Sequence, residues 1–304
     1  METRSHSGIA MVGSANMDIV FSVERIPSPG ETLLADSVAR YPGGKGLNQA
    51  VAAARAGAAT TFIGALGKDE NGSELFATMA DAGIDSSLVR RVAADTGQAF
   101  IVVADSAENT IIVASGANAQ VASLTDAERD AVSGAAVLLM QLELPLEVVI
   151  ESALAARSAG TTVMLNAAPA LDIPDELITA LDYLIVNEHE ASLLGGSEDL
   201  AEASHRLAAR VEHLIVTLGR EGSVIYRRGD EAARVPARDV MAIDTTGAGD
   251  TFCGAFAAAI AEGQGIADAA TFATAAAALS VQILGAVPSI PSRDRIEAML
   301  AEPA

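Results

Sequence analysis

Two short stretches of this chain combine residue types that can do chemistry. Asp244-Thr245-Thr246-Gly247-Ala248-Gly249-Asp250 sets a carboxylate on a glycine-rich turn, and the Ala-rich run from Thr251 to Ile260 reads as a helix. The first N–H groups of a helix lack internal acceptors and lie at the positive end of its dipole. Stripped glycines at such a start make an anion site, for phosphate above all. Asp250 fits two readings there, a capping acid or an acid held beside a bound anion. The second stretch, Gly43-Gly44-Lys45-Gly46, holds one of only two lysines; the other is Lys68, and every further formal cation is arginine. In a chain that otherwise avoids lysine, one set between glycines favours ligand contact over a solvated surface position.

Both stretches need elements to hold them. Ile9-Ala10-Met11-Val12-Gly13 reads as a buried first strand, and Gly46 to Gly57 as an Ala-rich helix opened by glycines. Thr60–Ala65 reads as a strand and Asn71–Ala82 as an amphipathic helix closed by Gly83. From Gly116 onward, apolar runs at 137–140, 162–165, 183–186 and 213–217 alternate with helical sequence. That rhythm predicts a parallel sheet covered by helices on both faces. The Pro-punctuated stretch Asp18–Tyr41 lies outside it, as do the β-rich runs Gln98–Ala104 and Thr110–Ala114, which read as a hairpin. They predict a small β-layer beside the main sheet, a candidate lid.

Composition narrows the partners. The 304 residues, half of them hydrophobic, suffice for a large core, in one α/β domain or two. The formal charge of 19 − 40 = −21 repels nucleic acid and anionic lipid, so neither is expected as a partner. A phosphorylated ligand must then be attracted locally, by backbone N–H groups, a metal ion or a few placed cations. The sole cysteine, Cys253, makes no internal disulfide and suits a reducing cytoplasm. It reads as a small helix-face residue, because no motif pairs it with a histidine. Residues Met1–Gly8 lack the apolar core of a signal peptide, and no apolar run reaches membrane-spanning length, so a cytoplasmic protein is expected.

Familiar nucleotide motifs fail. The turn after the first strand reads Gly13-Ser14-Ala15-Asn16-Met17-Asp18, without the dinucleotide fingerprint, and Phe252 occupies the third glycine position after Gly247 and Gly249. Gly67-Lys68 is followed by Asp69, with Phe62 where a P-loop needs its first glycine. His189-Glu190 lacks a second zinc-binding histidine.

What remains is an ordered set: Gly13–Asp18, Gly43-Gly44-Lys45-Gly46-Leu47-Asn48-Gln49-Ala50, Gly116-Ala117-Asn118, Met140-Gln141-Leu142-Glu143, Asn166-Ala167-Ala168-Pro169, Asn187-Glu188-His189-Glu190, Thr217–Gly222 and Asp244–Asp250. In that order, from about Ile9 to Leu300, the chain resembles the ribokinase-like (PfkB-type) carbohydrate kinases. The resemblance implies a single kinase domain over 1–304: a doubly wound, mostly parallel sheet flanked by helices. A small β-sheet lid, formed by about 18–42 and 97–114, is inserted in it and often pairs two subunits. It implies ATP-dependent phosphorylation of a sugar hydroxymethyl group, the nearest members acting on D-ribose at O5 to give ribose 5-phosphate and ADP. The alternatives are 2-deoxyribose, fructose or adenosine as substrate, or a non-catalytic sugar-binding regulator. Intact Asp250 and Gly247–Gly249 speak against the regulator, and a chain without Trp, with three Tyr and seven Phe, offers little stacking for a nucleoside base.

Carried onto this sequence, the resemblance makes Asp250 the base, with the N–H groups of Gly247, Ala248 and Gly249 as the anion hole. Asn16, Asp18, Gly44, Lys45, Gly46, Asn48 and Glu143, together with Asp250, are expected at the sugar. Asn187, Thr217, Leu218, Gly219, Arg220, Glu221, Gly222, Gly249 and Thr274 are expected at ATP. Glu190 is expected to act on Mg2+ or its waters. Asp244, Thr246, Ser280, Ile283, Gly285 and Ser289 are expected at a monovalent cation, K+. The residue chemistry agrees in part: Asn16, Asp18 and Asn48 can each pair with vicinal hydroxyls, and ligands settle at the carboxyl ends of parallel strands. Without a ligand, Asn16 and Asp18 read as a turn and Glu143 as a solvated acid at a strand end.

Overall fold

The computed structural model describes residues 6–302 apart from residue 107; residues 1–5, on which part of the leader reading falls, lie outside them. The chain enters through β1 (Ile9–Val12), whose four side chains are all buried. Ile9 and Met11 face one core cluster and Ala10 and Val12 another, so the strand is covered on both faces. Next come β2 (Asn16–Val23), β3 (Ser37–Gly43), α1 (Lys45–Arg55), β4 (Thr60–Gly67), α2 (Glu70–Asp81), β5 (Val89–Val92), β6 (Gly97–Ala104) and β7 (Asn109–Ala114). From there strands and helices alternate: α3 (Asp126–Gly134), β8 (Val137–Met140), α4 (Leu146–Ala159), β9 (Thr162–Asn166), α5 (Asp175–Ala180), β10 (Tyr183–Asn187), α6 (Glu188–Gly195), α7 (Leu200–Ala208) and β11 (His213–Thr217). The hairpin β12 (Ser223–Arg227) and β13 (Asp230–Val235) leads to α8 (Ala248–Ala261), α9 (Ile266–Ser280), α10 (Ala286–Ser289) and α11 (Arg293–Ala301).

Nine strands form the large sheet in the order β13-β12-β11-β10-β9-β8-β1-β4-β5. All neighbours from β11 to β5 run parallel, and only the β12–β13 edge is antiparallel. Core residues of α1, α2, α8, α9 and α11 cover one face and those of α3–α7 the other. The sheet is therefore doubly wound, as expected. The sequence reading had no strand at β5, whose Val-Arg-Arg-Val side chains are all half-buried, nor at β12–β13. β5 and β13 are the two edges of the sheet, where no continuous apolar run is required, whereas β12 lies inside it and its short Val224-Ile225-Tyr226 run is buried. No described helix is long and apolar enough to cross a membrane.

The chain leaves β1 for β4 on one side and returns to β8 on the other. β1 is thus the switch point, and the crevice at its carboxyl end is where an open α/β sheet takes ligands. The small sheet, ordered β3-β2-β6-β7, grows from that point, since β2 starts at Asn16. β2 pairs with β3 antiparallel and with β6 parallel, and β6–β7 is the hairpin. Residues 24–36 between β2 and β3 form no strand.

Helices α1 and α8 meet in close contact across Gly254. A β-carbon there would lie 2.2 Å from the Gln49 carbonyl oxygen and 2.6 Å from the Ala52 β-carbon. Both neighbours belong to α1 and one is backbone, so a methyl group must push the helices apart. Gly254→Ala is expected to destabilise the fold by on the order of 1–3 kcal/mol, read as a lower urea midpoint; an unchanged midpoint would refute this tight crossing.

Candidate active site

The α8 start is built by Gly247, which has φ 72° in the left-handed region. The Ala248 N–H is turned onto the Thr245 carbonyl at 3.2 Å, whereas the N–H groups of Gly247 and Gly249 have no acceptor among the described residues. A β-carbon on Gly249 would meet nothing within 4 Å, so open space fronts these donors. Of the three N–H groups expected in an anion hole, two are thus free and Ala248 is engaged in the turn. Asp250, 8 % exposed, sits inside the first turn of α8. Its carboxylate accepts from two α1 side chains, Asn48 Nδ2 (3.0 Å) to Oδ2 and Gln49 Nε2 (2.9 Å) to Oδ1. These partners, rather than a cap, hold Asp250.

The polar set expected at a sugar converges here. Gly44, at φ 89°, starts α1; a β-carbon on it would lie 2.7 Å from the Asn16 backbone nitrogen. One on Gly46 would lie 2.5 Å from the Ser14 nitrogen. The loop after β1 is thereby pressed onto the start of α1. Glu143, just beyond β8, accepts at Oε2 from the Ser14 hydroxyl (2.5 Å), the Lys45 N–H (3.3 Å) and, at 3.5 Å, Asn16 Nδ2. Asn118 donates to Asn16 Oδ1 (2.8 Å) and fixes that carboxamide. The Asp18 carboxylate lies over Gly43, where a β-carbon would come within 2.1 Å of Oδ2. Asn48 is buried, and its Oδ1 has no partner, an acceptor suited to a hydroxyl donor.

Across α8 lies a cleft of about 680 Å³, bordered by Ala248 and Gly249. Thr217, Gly219, Arg220 and Gly222 form one wall, and Thr274, Ala277 and Val281 of the α9 region another. The Thr274 hydroxyl is buried and unpartnered. Leu218 packs instead against the core on the far face of the sheet, and Glu221, in the same turn, is exposed. Asn187 caps α6, accepting from the Glu190 N–H at 2.8 Å, while Glu190 returns a carboxylate oxygen to the Asn187 N–H at 2.9 Å. Neither Leu218, Glu221 nor Asn187 lines the cleft. Sequence reasoning missed the third wall, from Ala237 to Ala242 and including Arg238.

Among the described residues no group of three or more His, Cys, Asp or Glu is arranged to hold a metal ion. A divalent ion would have only Glu190 and water beside the phosphates of a ligand, a donor set that Mg2+ tolerates. In the other candidate set, Asp244 Oδ2 accepts from the Gly285 N–H (2.8 Å) and Oδ1 from Thr246, both backbone (2.9 Å) and hydroxyl (2.6 Å). The Ile283 N–H reaches the Ser280 carbonyl beyond the end of α9. The buried Ser280 and Ser289 hydroxyls give their protons to the Ala277 and Ala286 carbonyls, so they offer lone pairs only. That oxygen set fits a weakly held monovalent cation.

Charge is crowded. Burial pushes Asp18 up to about 7, with the Glu143 and Asp250 carboxylates adding to the rise and Lys45 opposing it. Burial likewise raises Glu190, with smaller opposing effects from the Asn187 N–H and Lys45. Lys45 is half-buried, which alone would lower its ammonium; Asp250, Glu143 and Glu190 reverse that and raise it. Burial, with Asp250 and Glu190 beside it, pushes the Cys253 thiol well above its ordinary value, so it is no nucleophile. The carboxamides Gln49, Gln141 and Asn166 were missed as site residues although each lies in a stretch singled out above. Neutral amides on a helix face or strand end read as packing.

A family model described as pfkB family carbohydrate kinase matches residues 7–293. Ribokinase of Haemophilus influenzae is 42% identical over 293 residues, 94% of this chain and 95% of that protein. Deoxyribokinase of Salmonella typhi is 32% identical over 303 residues, 96% of this chain and 98% of that one. The solved structure of Arabidopsis thaliana ribokinase complexed with ribose and ATP has a TM-score of 0.91 at 35% identity, covering 98% of this chain and 100% of that one.

The raised Asp18 carboxyl has a consequence for stability. Its folded value near 7 lies well above that of a free aspartate, so the folded chain binds the extra proton between them. Stability is then lost as pH rises through that window. Asp18→Asn should melt higher than the parent without ligand at pH 8, by on the order of 2–4 °C, and its advantage should be smaller at pH 5. An equal advantage at both pH values would mean that Asp18 is not the strained group.

Proposed function

The chain belongs to the pfkB family of carbohydrate kinases, and we propose that it phosphorylates D-ribose at O5 with ATP, giving ribose 5-phosphate and ADP. The observation that carries this reading is the α8 start, which borders two compartments. Ala248 and Gly249 line the 680 Å³ cleft, while Asp250 is bonded to Asn48 among the buried hydroxyl-binding groups. ATP occupies the cleft, and the sugar lies among Asn16, Asp18, Asn48 and Glu143. The ribose 5-hydroxyl gives its proton to Asp250 as its oxygen bonds to the γ-phosphorus; the bond from that phosphorus to the β-phosphate oxygen breaks and ADP leaves. Such a transfer is loose, so the protein's task is placement and charge neutralisation. The free N–H groups of Gly247 and Gly249 and the α8 dipole face the charge that develops on the phosphoryl oxygens. Lys45 adds a side-chain cation beside Glu143, and Arg220 and Arg238 line the cleft.

Mg2+ bound with ATP would supply charge neutralisation at the phosphates, with Glu190 holding it or its waters. K+ beside the oxygens of Asp244, Thr246, Ser280, Ile283, Gly285 and Ser289 would brace the loop that enters α8. We read the chain as one kinase domain whose small sheet is a lid that excludes water and so suppresses idle ATP hydrolysis. On that sheet every residue of β7 is exposed, with Ile111 at 53 %, Ile112 at 67 % and Val113 at 45 %. Ile111 and Val113 turn toward the pocket that Lys45 and Glu143 line, and Ile112 stands on the opposite side of the strand. A second copy covering that outer side makes the enzyme a homodimer. ATP as co-substrate and a single buried thiol suit the cytoplasm.

ADP release with Mg-ATP tests the reading, using ribose, 2-deoxyribose, fructose and adenosine, each with potassium or sodium. Ribose-dependent turnover raised by potassium is expected; preference for 2-deoxyribose would retain the fold and base and reassign the substrate. Asp250→Asn should keep ribose and ATP binding while kcat falls by roughly a thousandfold; near-normal turnover would remove Asp250 from its role. Ile112→Asp should sediment as a monomer where the parent sediments as a dimer, and an unchanged dimer would place the interface elsewhere.

A further inference from the structure

The Asp250 carboxylate is held by a hydrogen-bond chain that runs in one direction only. The Ile185 carbonyl, in the middle of β10, can only accept; besides the Ala167 N–H at 3.0 Å, it takes a proton from Asn166 Nδ2 at 3.2 Å. Asn166 must therefore turn Oδ1 the other way, where it accepts from Gln49 Nε2 at 3.1 Å. That fixes the Gln49 carboxamide. Its second Nε2 proton goes to Asp250 Oδ1 at 2.9 Å, and its Oε1 accepts from Gln141 Nε2 at 2.7 Å. A buried backbone carbonyl thus dictates, through two amides, that a donor faces Asp250 Oδ1. With Asn48 on Oδ2, each carboxylate oxygen holds one donor and keeps lone-pair capacity for another.

We propose that Gln49 is a positioning residue for the phosphoryl-transfer base: it sets the plane of the Asp250 carboxylate and leaves its remaining lone pairs for the sugar hydroxyl. Gln49 is fully buried, does not line the cleft, and has all three hydrogen-bonding atoms engaged within the protein. It therefore acts through Asp250 and not by touching substrate. The inference rests on Asp250 being the base.

The test is steady-state kinetics of Gln49→Met, which keeps the length of the side chain and removes the donor, beside Asp250→Asn in the same assay. kcat should fall roughly 10- to 100-fold while KM for ribose and ATP stays within about threefold. The acid limb of the kcat profile should move to higher pH, because a donor favouring the charged carboxylate has gone. Asn166→Leu, which frees Gln49 to flip, should lower kcat in the same direction, and the double variant should lose little beyond Gln49→Met alone. Should Gln49→Met fail to fold, judged by its thermal transition, Asn166→Leu decides by the same kcat and pH criteria. Unchanged kcat, a loss expressed only in KM, or an unmoved acid limb overturns the proposal. If Asp250→Asn stays active, the base assignment itself fails; if it is inactive while Gln49→Met is fully active, only the Gln49 role fails.

Discussion

Four carboxylates around one ammonium set the terms for this site. Asp18, Glu143, Glu190 and Asp250 all act electrostatically on Lys45, and Asp18 is driven far from its ordinary range by burial beside two of the others. Gathering such acids in a chain of net charge −21 is tolerable only if each one is hydrogen-bonded locally or takes up a proton. The structure supplies neutral donors for three: the Ser14 hydroxyl for Glu143, the Asn48 and Gln49 carboxamides for Asp250, and the Asn187 backbone for Glu190. Asp18, with no such donor among the described residues, is the one pushed up to about 7. A ligand bringing several more negative charges meets one lysine, Arg220 and Arg238 in the cleft walls and a helix start. Backbone N–H groups carry partial positive charge that cannot be titrated or moved away, which is why the α8 turn matters more here than any surface cation.

That arrangement explains the density of glycine around it. A donor on α1 can reach a carboxylate on α8 only if the two helices nearly touch, and Gly254 permits this where any side chain would strike the Gln49 carbonyl. Gly46 lets the Ser14 loop lie on α1, and Gly43 leaves room for the Asp18 carboxylate. Each glycine marks a close approach between elements far apart in sequence. The crossing of α1 and α8 therefore fixes the chemistry and is not merely a packing detail.

Much of this was legible in the sequence, for identifiable reasons. Alternating apolar runs gave the parallel sheet because strands covered on both faces cannot hide polar residues. The stretches at Gly43–Gly46 and Asp244–Asp250 stood out because lysine and aspartate among glycines have few other uses. Asp250 itself stayed open between cap and base, since an acid in the first turn of a helix looks the same in either role; the Asn48 and Gln49 contacts show that it is not held as a cap. The carboxamide chain was hidden because Gln49, Asn166 and Gln141 come from three elements, and their relation depends on strand order. The wall from Ala237 to Ala242 carried no periodicity at all, and the edge strands β5 and β13 lacked the apolar runs that mark central ones; β12 carries a short one, Val224-Ile225-Tyr226, that went unread. Leu218 went the other way: it lies within a predicted ligand loop, yet the apolar side chain belongs to the core beneath it.

The groups proposed to meet the sugar divide between parts of unequal rigidity. Asp250 and Asn48 stand on two helices locked together through Gly254, and their partners reach the main sheet through Asn166 and Ile185. Asn16 and Asp18 stand on β2, the first strand of the small sheet, whose outer hairpin faces solvent. A substrate bridging both sets would tie the small sheet to the rigid body and give ionised Asp18 hydroxyl partners in place of burial among other acids. The groups proposed as proton acceptor and phosphate donors lie together at the start of α8, packed against α1. A lid closing from the small sheet, as proposed, would exclude water without disturbing that pair of helices.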